Sequence, residues 1–105
     1  MIQYIDDYEQ FKEAIKGGIT LVDFFATWCS PCRMLTPIIE EYSEKNETIK
    51  VIKVDVDKAH ELATEYEVYS IPTLLIAKNG EEIARRLGYM PLETLEDFVK
   101  ENLTK

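Results

Sequence analysis

The spacing of apolar positions along this chain changes several times, and each change marks an element. Residues 2–5 read as a short first strand. Over residues 6–16, Tyr8, Phe11 and Ile15 recur at helical spacing, and Gly17-Gly18 stops that helix. Residues 19–26 (ITLVDFFA) form a nearly continuous apolar run, the pattern of a strand covered on both faces. A second helix is predicted over residues 29–45, with Met34, Leu35, Ile38, Ile39 and Tyr42 on its inner face and a kink at Pro37. Residues 49–56 (IKVIKVDV) give the next strand, so a right-handed parallel crossover joins it to the previous one. A shorter helix over 58–66 turns Leu62 and Tyr66 inward. Residues 73–77, Asn79-Gly80 and residues 81–87 read as a β-hairpin, because Asn-Gly favours a tight primed turn. Pro91 suits the first turn of a last helix whose core face is Leu92, Leu95, Phe98, Val99 and Leu103. Alternating strands and helices give an α/β fold, a mixed sheet of four or five strands flanked by helices.

The length of 105 residues fits a single domain spanning 1–105. No apolar run reaches the roughly 20 residues that span a bilayer, and the first residues carry no export signal, so a cytoplasmic location is the default. Twelve basic residues against 20 acidic ones give a net charge of −8. That balance argues against nucleic acid and against an anionic membrane surface, both of which attract clustered Lys and Arg.

The chemistry concentrates in two cysteines, Cys29 and Cys32. They sit where a buried strand turns into a helix. Residues three apart on a helix have α-carbons about 5 Å apart, inside the roughly 4.4–6.8 Å that a disulfide tolerates. Cys29 lies at the helix start, where free N–H groups and the helix dipole favour a thiolate, so it is the expected attacking sulfur. Cys32, one turn in, is expected to be more buried and to resolve the mixed disulfide. Pro31 fits a first turn, since its missing N–H has no helical partner there. Zinc is the competing use of such a pair, but it takes a tetrahedral ligand set and the chain offers two cysteines and one histidine, His60, on a polar helix face. No metal site is expected. A purely structural disulfide is disfavoured because so short a loop adds little stability.

The segment VDFFATWCSPCRMLTP (22–37) resembles the active-site segment of the thioredoxin family. The similarity continues through VIKVDVD (51–57), SIPTLLIAKNGE (70–81) and LGYMP (87–91), in order and at the family's spacing. The resemblance implies the thioredoxin fold, a mixed five-stranded sheet flanked by four helices. It implies a protein-disulfide reductase that cycles between dithiol and disulfide through Cys29 and Cys32, with no bound cofactor. Disulfide-containing proteins would be its substrates, and a thioredoxin reductase its electron donor. The chain is expected to act as a monomer. Glutaredoxins more often carry Pro-Tyr between their cysteines and oxidising relatives often carry His, and Ser-Pro fits neither. The family's usual Gly is replaced here by Ser30, which could add a hydrogen bond near the Cys29 sulfur. Ser70 likewise replaces a Gly, and Phe25 stands where many members have Trp.

Several further residues gain expected roles from the match. Asp23 interrupts an apolar strand, where burial raises the pKa of a carboxylate, and the resemblance makes it the proton acceptor for Cys32. Lys53 matches a family lysine close to that Asp and is expected to modulate it. Pro72 is expected to follow a cis peptide bond and to sit against the cysteines. Trp28, at the strand-to-helix corner, is expected to form a partly exposed groove wall that Ile71, Leu87 and Gly88 complete, with Tyr69 and Met90 either bordering it or serving a structural role. The Ile71 backbone would pair with an extended substrate peptide. Asp55 and Asp57 are expected to end the third strand and begin the helix after it.

Overall fold

The computed structural model describes residues 2–104. Its central strands form where apolar runs can be covered on two sides. The central ones are β2 (Ile19–Phe25), β3 (Lys50–Asp55) and β4 (Thr73–Lys78). The edges are β1 (Ile2–Ile5) and β5 (Glu81–Leu87). The order across the sheet is β1-β3-β2-β4-β5. β1, β3 and β2 run parallel, while β4 and β5 pair antiparallel. With α1 (Tyr8–Ile15), α2 (Ser30–Lys45), α3 (His60–Glu65) and α4 (Leu92–Leu103), this is a mixed five-stranded sheet with four helices among the described residues.

Side chains alternate across a strand, and that alternation splits the interior in two. Val22 and Phe24 of β2, Ile52 and Val54 of β3, and Leu75 and Ala77 of β4 pack with Phe11 and Ile15 of α1 and Leu62 of α3. Leu21, Val51, Leu74 and Ile76 face the other way, onto Leu35, Ile39 and Tyr42 of α2 and Leu95, Phe98 and Val99 of α4. Asp23 and Lys53 keep the same parity as Leu21 and Val51, so they belong to the face under α2. β2 and β3 bring Asp23 and Lys53 into register as neighbours. Two charged residues thus share one point of a face built mostly of apolar side chains.

The helix ends follow local chemistry. Asp7 caps α1, its Oδ1 accepting from Gln10 N at 2.8 Å, while the Gln10 side chain accepts from Asp6 N at 3.0 Å. The first bond satisfies a free amide of the first helical turn, and the second ties down the residue before the cap. α2 runs on through Pro37. The hairpin turn places Asn79 at φ 52° and Gly80 at φ 90°, the left-handed pair that a primed turn requires. Asn79 also exchanges hydrogen bonds with Gly18, its backbone N–H donating to Gly18 O at 2.9 Å and its side-chain Oδ1 accepting from Gly18 N at 2.8 Å.

Three expectations fail, two for the core and one for a helix start. Met34 is exposed: it follows Cys32 by two residues, about 200° around the helix, on the side opposite Cys32, Leu35 and Ile39. Leu103 is also exposed, and Asn102 takes the buried place in the last turn, its side-chain amide donating to Phe98 O at 2.8 Å. Asp57 does not begin α3, whose N-cap is Ala59 with no side-chain cap; Asp55 does end β3, and its carbonyl accepts from Lys58 N and Ala59 N.

Candidate active site

β2 delivers the chain to the site, and a short turn after Phe25 lets α2 begin at Ser30. Cys29 is the N-cap of α2, and its Sγ accepts a hydrogen bond from Cys32 N at 3.2 Å. A sulfur here does what a Ser or Asp oxygen does at other helix starts, and the N–H and the helix dipole both favour negative charge on it. Cys29 and Cys32 are joined by a disulfide, with α-carbons 5.2 Å apart. That separation matches the spacing argument made from the sequence. Both sulfurs lie in a small apolar cluster with Ala26, against Phe25, Val56 and Ile71. Cys29 is 5 % exposed and Cys32 2 %, so the expected order of burial holds by a small margin. Ser30 and Pro31, in the first turn, are exposed.

Opposite the helix start, the Ile71–Pro72 peptide bond is cis. Pro72 is buried, and the Ile71 carbonyl oxygen lies 3.9 Å from Cys29 Sγ. Pro72 O accepts from Gly88 N at 2.8 Å, and Gly88 has φ 89°, a conformation in which glycine carries no Cβ penalty. Register pairs Thr73 with Leu87, so exposed Leu87 stands beside this loop. Tyr69 is exposed two residues before Ile71. Of the two roles open to Met90 the structure gives the structural one: it is buried with Leu21, Leu35 and Leu95. Its place in that cluster is set by α4, which the short sequence motif does not reveal.

Trp28 is 67 % exposed on the other side of Cys29. Its Nε1 donates to Asp57 Oδ2 at 2.7 Å, a charge-assisted bond that fixes the indole plane. This partner was not foreseen, because 29 residues separate the two. Asp57 is itself positioned by its backbone N–H, which donates to Asp55 Oδ1 at 2.9 Å. Asp57→Ala is expected to free the indole and lower its fluorescence anisotropy. Trp28 is the single tryptophan of the chain, so the signal is unambiguous. An anisotropy equal to that of the unaltered protein would show that the bond does not restrain the ring.

Beneath α2 lies the buried pair. Asp23 is 0 % exposed, and neither carboxylate oxygen has a hydrogen-bond partner. Burial pushes its carboxyl up from 3.8 to about 6, and the nearby Lys53 ammonium only partly opposes this. Lys53 is 3 % exposed, which rules out an ordinary solvated strand lysine. Its Nζ lies 3.8 Å from Asp23 Oδ2, beyond good hydrogen-bond range. It donates instead to Thr36 Oγ1 at 3.3 Å, and Thr36 Oγ1 donates to Cys32 O at 3.2 Å. The ammonium also sits over the Phe25 ring at 4.5 Å and the Tyr4 ring at 5.8 Å. These contacts offset part of the cost of burying a cation. A cavity of about 510 Å³ opens beside this group, lined by Tyr4, Phe25, Cys32, Arg33, Thr36 and Lys53 among others. Thr36 was not singled out from the sequence, although its position four residues after Cys32 places it on the same helix face.

Among the described residues no group of three or more His, Cys, Asp or Glu could hold a metal ion. Among the same residues no helix is long and apolar enough to cross a membrane.

Comparison with known proteins agrees with this arrangement along nearly the whole chain. The family model described as Thioredoxin matches residues 3–101. A thioredoxin from Listeria monocytogenes is 43 % identical over 100 residues, covering 94 % of this chain and 96 % of that protein. A Bacillus subtilis thioredoxin is 41 % identical over 96 residues, covering 90 % and 92 %. The crystal structure of Malassezia sympodialis thioredoxin superposes with a TM-score of 0.89 at 32 % identity, covering 97 % of this chain and 90 % of that one. A Plasmodium falciparum thioredoxin structure gives 0.89 at 31 % identity, covering 94 % and 97 %.

Proposed function

The chain belongs to the thioredoxin family and is a thiol–disulfide oxidoreductase, a protein-disulfide reductase; from that premise we propose how its own residues divide the reaction. The observation that carries the reading is the Cys29–Cys32 disulfide capping α2, with one sulfur already accepting a helix N–H.

In the reduced protein, Cys29 thiolate attacks one sulfur of a substrate disulfide. The substrate S–S bond breaks, one substrate thiolate leaves, and a mixed disulfide joins Cys29 to the rest. Cys32 then gives its proton to Asp23, and its thiolate attacks Cys29 Sγ. The Cys29–Cys32 bond forms, the second substrate thiolate leaves, and two electrons have passed from the dithiol to the substrate. The usual partner of the family, a thioredoxin reductase, returns the two electrons. What supports Asp23 as acceptor is its place on the face under α2, with both oxygens unpartnered and a pKa of about 6. A base poised near working pH takes a proton most effectively. Lys53 modulates that carboxylate through its charge.

Substrate binding is assigned to Trp28, Ile71, Leu87 and Gly88, with Pro72 holding the Ile71 backbone against the cysteines. An extended peptide pairs with the Ile71 main chain, as a strand adds to a sheet edge. Ser30 and Pro31 shape the first turn between the sulfurs. The redox centre is the cysteine pair itself, without a bound cofactor. The protein works as a cytoplasmic monomer built of one thioredoxin domain.

The test is reduction of insulin by dithiothreitol, followed as turbidity. The protein should accelerate precipitation well above the dithiothreitol background. A rate equal to that background would defeat the reading.

A further inference from the structure

We infer that Thr36 is a positioning residue of the reaction: its hydroxyl holds the Lys53 ammonium off the Asp23 carboxylate and ties it to the main chain at Cys32. The inference rests on the proton-acceptor reading of Asp23 for its consequence, but not for its geometry.

The direction of each hydrogen bond is forced. A lysine ammonium can only donate, and a carbonyl can only accept. Thr36 Oγ1 lies 3.3 Å from Lys53 Nζ and 3.2 Å from Cys32 O. Its single proton must therefore point at Cys32 O, which leaves its lone pairs for the ammonium. Bonding to the carbonyl four residues back is a stable habit of threonine inside a helix, so the hydroxyl is fixed by α2 itself. Lys53 reaches this fixed acceptor while remaining 3.8 Å from Asp23 Oδ2. The Phe25 ring, 4.5 Å from Nζ, packs against the ammonium from the strand side.

The consequence falls on Asp23. A buried carboxylate next to a buried ammonium would ordinarily close to a charge-assisted contact of about 2.8 Å. Here that contact is not made, and both Asp23 oxygens remain without a hydrogen bond. The groups facing Asp23 are few. Lys53 comes from β3, and its register partner on β4 is the uncharged Leu74. Lys53 is the charge that acts on it, so the distance of that one ammonium sets how strongly the carboxylate is stabilised. By holding the ammonium back, Thr36 keeps Asp23 a strong enough base to take the Cys32 proton. A hydroxyl on the resolving cysteine's own helix thereby couples the acid–base pair to the sulfur that it serves.

The experiment is a carboxyl titration of Asp23 by ¹³C NMR in the oxidised full chain, comparing the unaltered protein with Thr36→Val, Thr36→Ala and Thr36→Ser. Val and Ala remove the acceptor, the ammonium moves onto Asp23, and the midpoint falls by about one pH unit, the low end of what a close opposite charge does. Ser keeps the hydroxyl and keeps the original midpoint. In insulin reduction, Thr36→Val slows the rate at neutral pH, and the acidic limb of its pH profile moves down with the midpoint. A midpoint that stays or rises in both Val and Ala, or one that falls equally in Ser, would overturn the inference. Asp23→Asn separates the two readings. Should it reduce insulin with an unaltered pH profile, the acceptor role fails, while the titration still decides the position of Lys53.

Discussion

Cys29→Ser should reduce insulin no faster than dithiothreitol alone, while Cys32→Ser should still attack substrate but stop at the mixed disulfide. The asymmetry follows from where α2 begins. Cys29 is the residue whose sulfur accepts the N–H of Cys32, so the charge needed for attack is stabilised at position 29. A serine hydroxyl can occupy the same cap, which preserves the fold, but it is a far weaker nucleophile at neutral pH. The expected loss is roughly 10³-fold or more, the scale on which removing a covalent nucleophile is felt. In Cys32→Ser the attacking sulfur and its helix start remain, and what is missing is the thiol that would release Cys29. Incubation with an oxidised protein substrate, followed by non-reducing electrophoresis, should show a covalent adduct with Cys32→Ser and none with Cys29→Ser. Adducts of equal yield from both variants would mean that the helix start does not choose between the sulfurs.

The sequence carried the frame of this site but not its wiring. The apolar run of β2 announced a strand covered on both faces, and a lone Asp23 within it announced a buried carboxylate. The cysteine spacing required a helix start, and α2 supplies one. What could not be read were contacts set by how elements meet. Trp28 finds Asp57 across 29 residues, because β3 ends beside the turn that opens α2. Thr36 looks like a neutral helix residue until Lys53, brought by the register of β3 on β2, reaches its hydroxyl. Periodicity also misplaced Met34, since it names apolar residues without fixing which side of the helix the sheet will cover. For Met90 the sequence left groove and core both open, and the packing of α4 decides for the core.

Asp23→Asn should be a slower catalyst and, as pH rises, an increasingly more stable protein than the unaltered chain. Without the acceptor, attack by Cys32 on the mixed disulfide is expected to slow on the order of 10²-fold near neutral pH. Stability moves the other way. Burial raises the Asp23 carboxyl from 3.8 to about 6 even with Lys53 beside it, so the folded state favours the protonated form. A group of this kind contributes stability that is fully present below 3.8 and is lost as pH climbs through about 6. At about 1.4 kcal/mol per pH unit, the ionised carboxylate at neutral pH costs about 3 kcal/mol relative to the protonated one. Asparagine never ionises and escapes that loss. The burial of its amide adds a term that does not vary with pH, so the slope is the diagnostic quantity. Urea denaturation of both proteins from about pH 5 to pH 8 should show the stability difference growing in favour of Asp23→Asn and levelling above pH 7. A difference that stays flat or shrinks would mean that the fold does not oppose this charge. A growing difference, together with the lost rate, would mean that the fold tolerates a destabilising group under α2 because the resolving thiol has to lose its proton there.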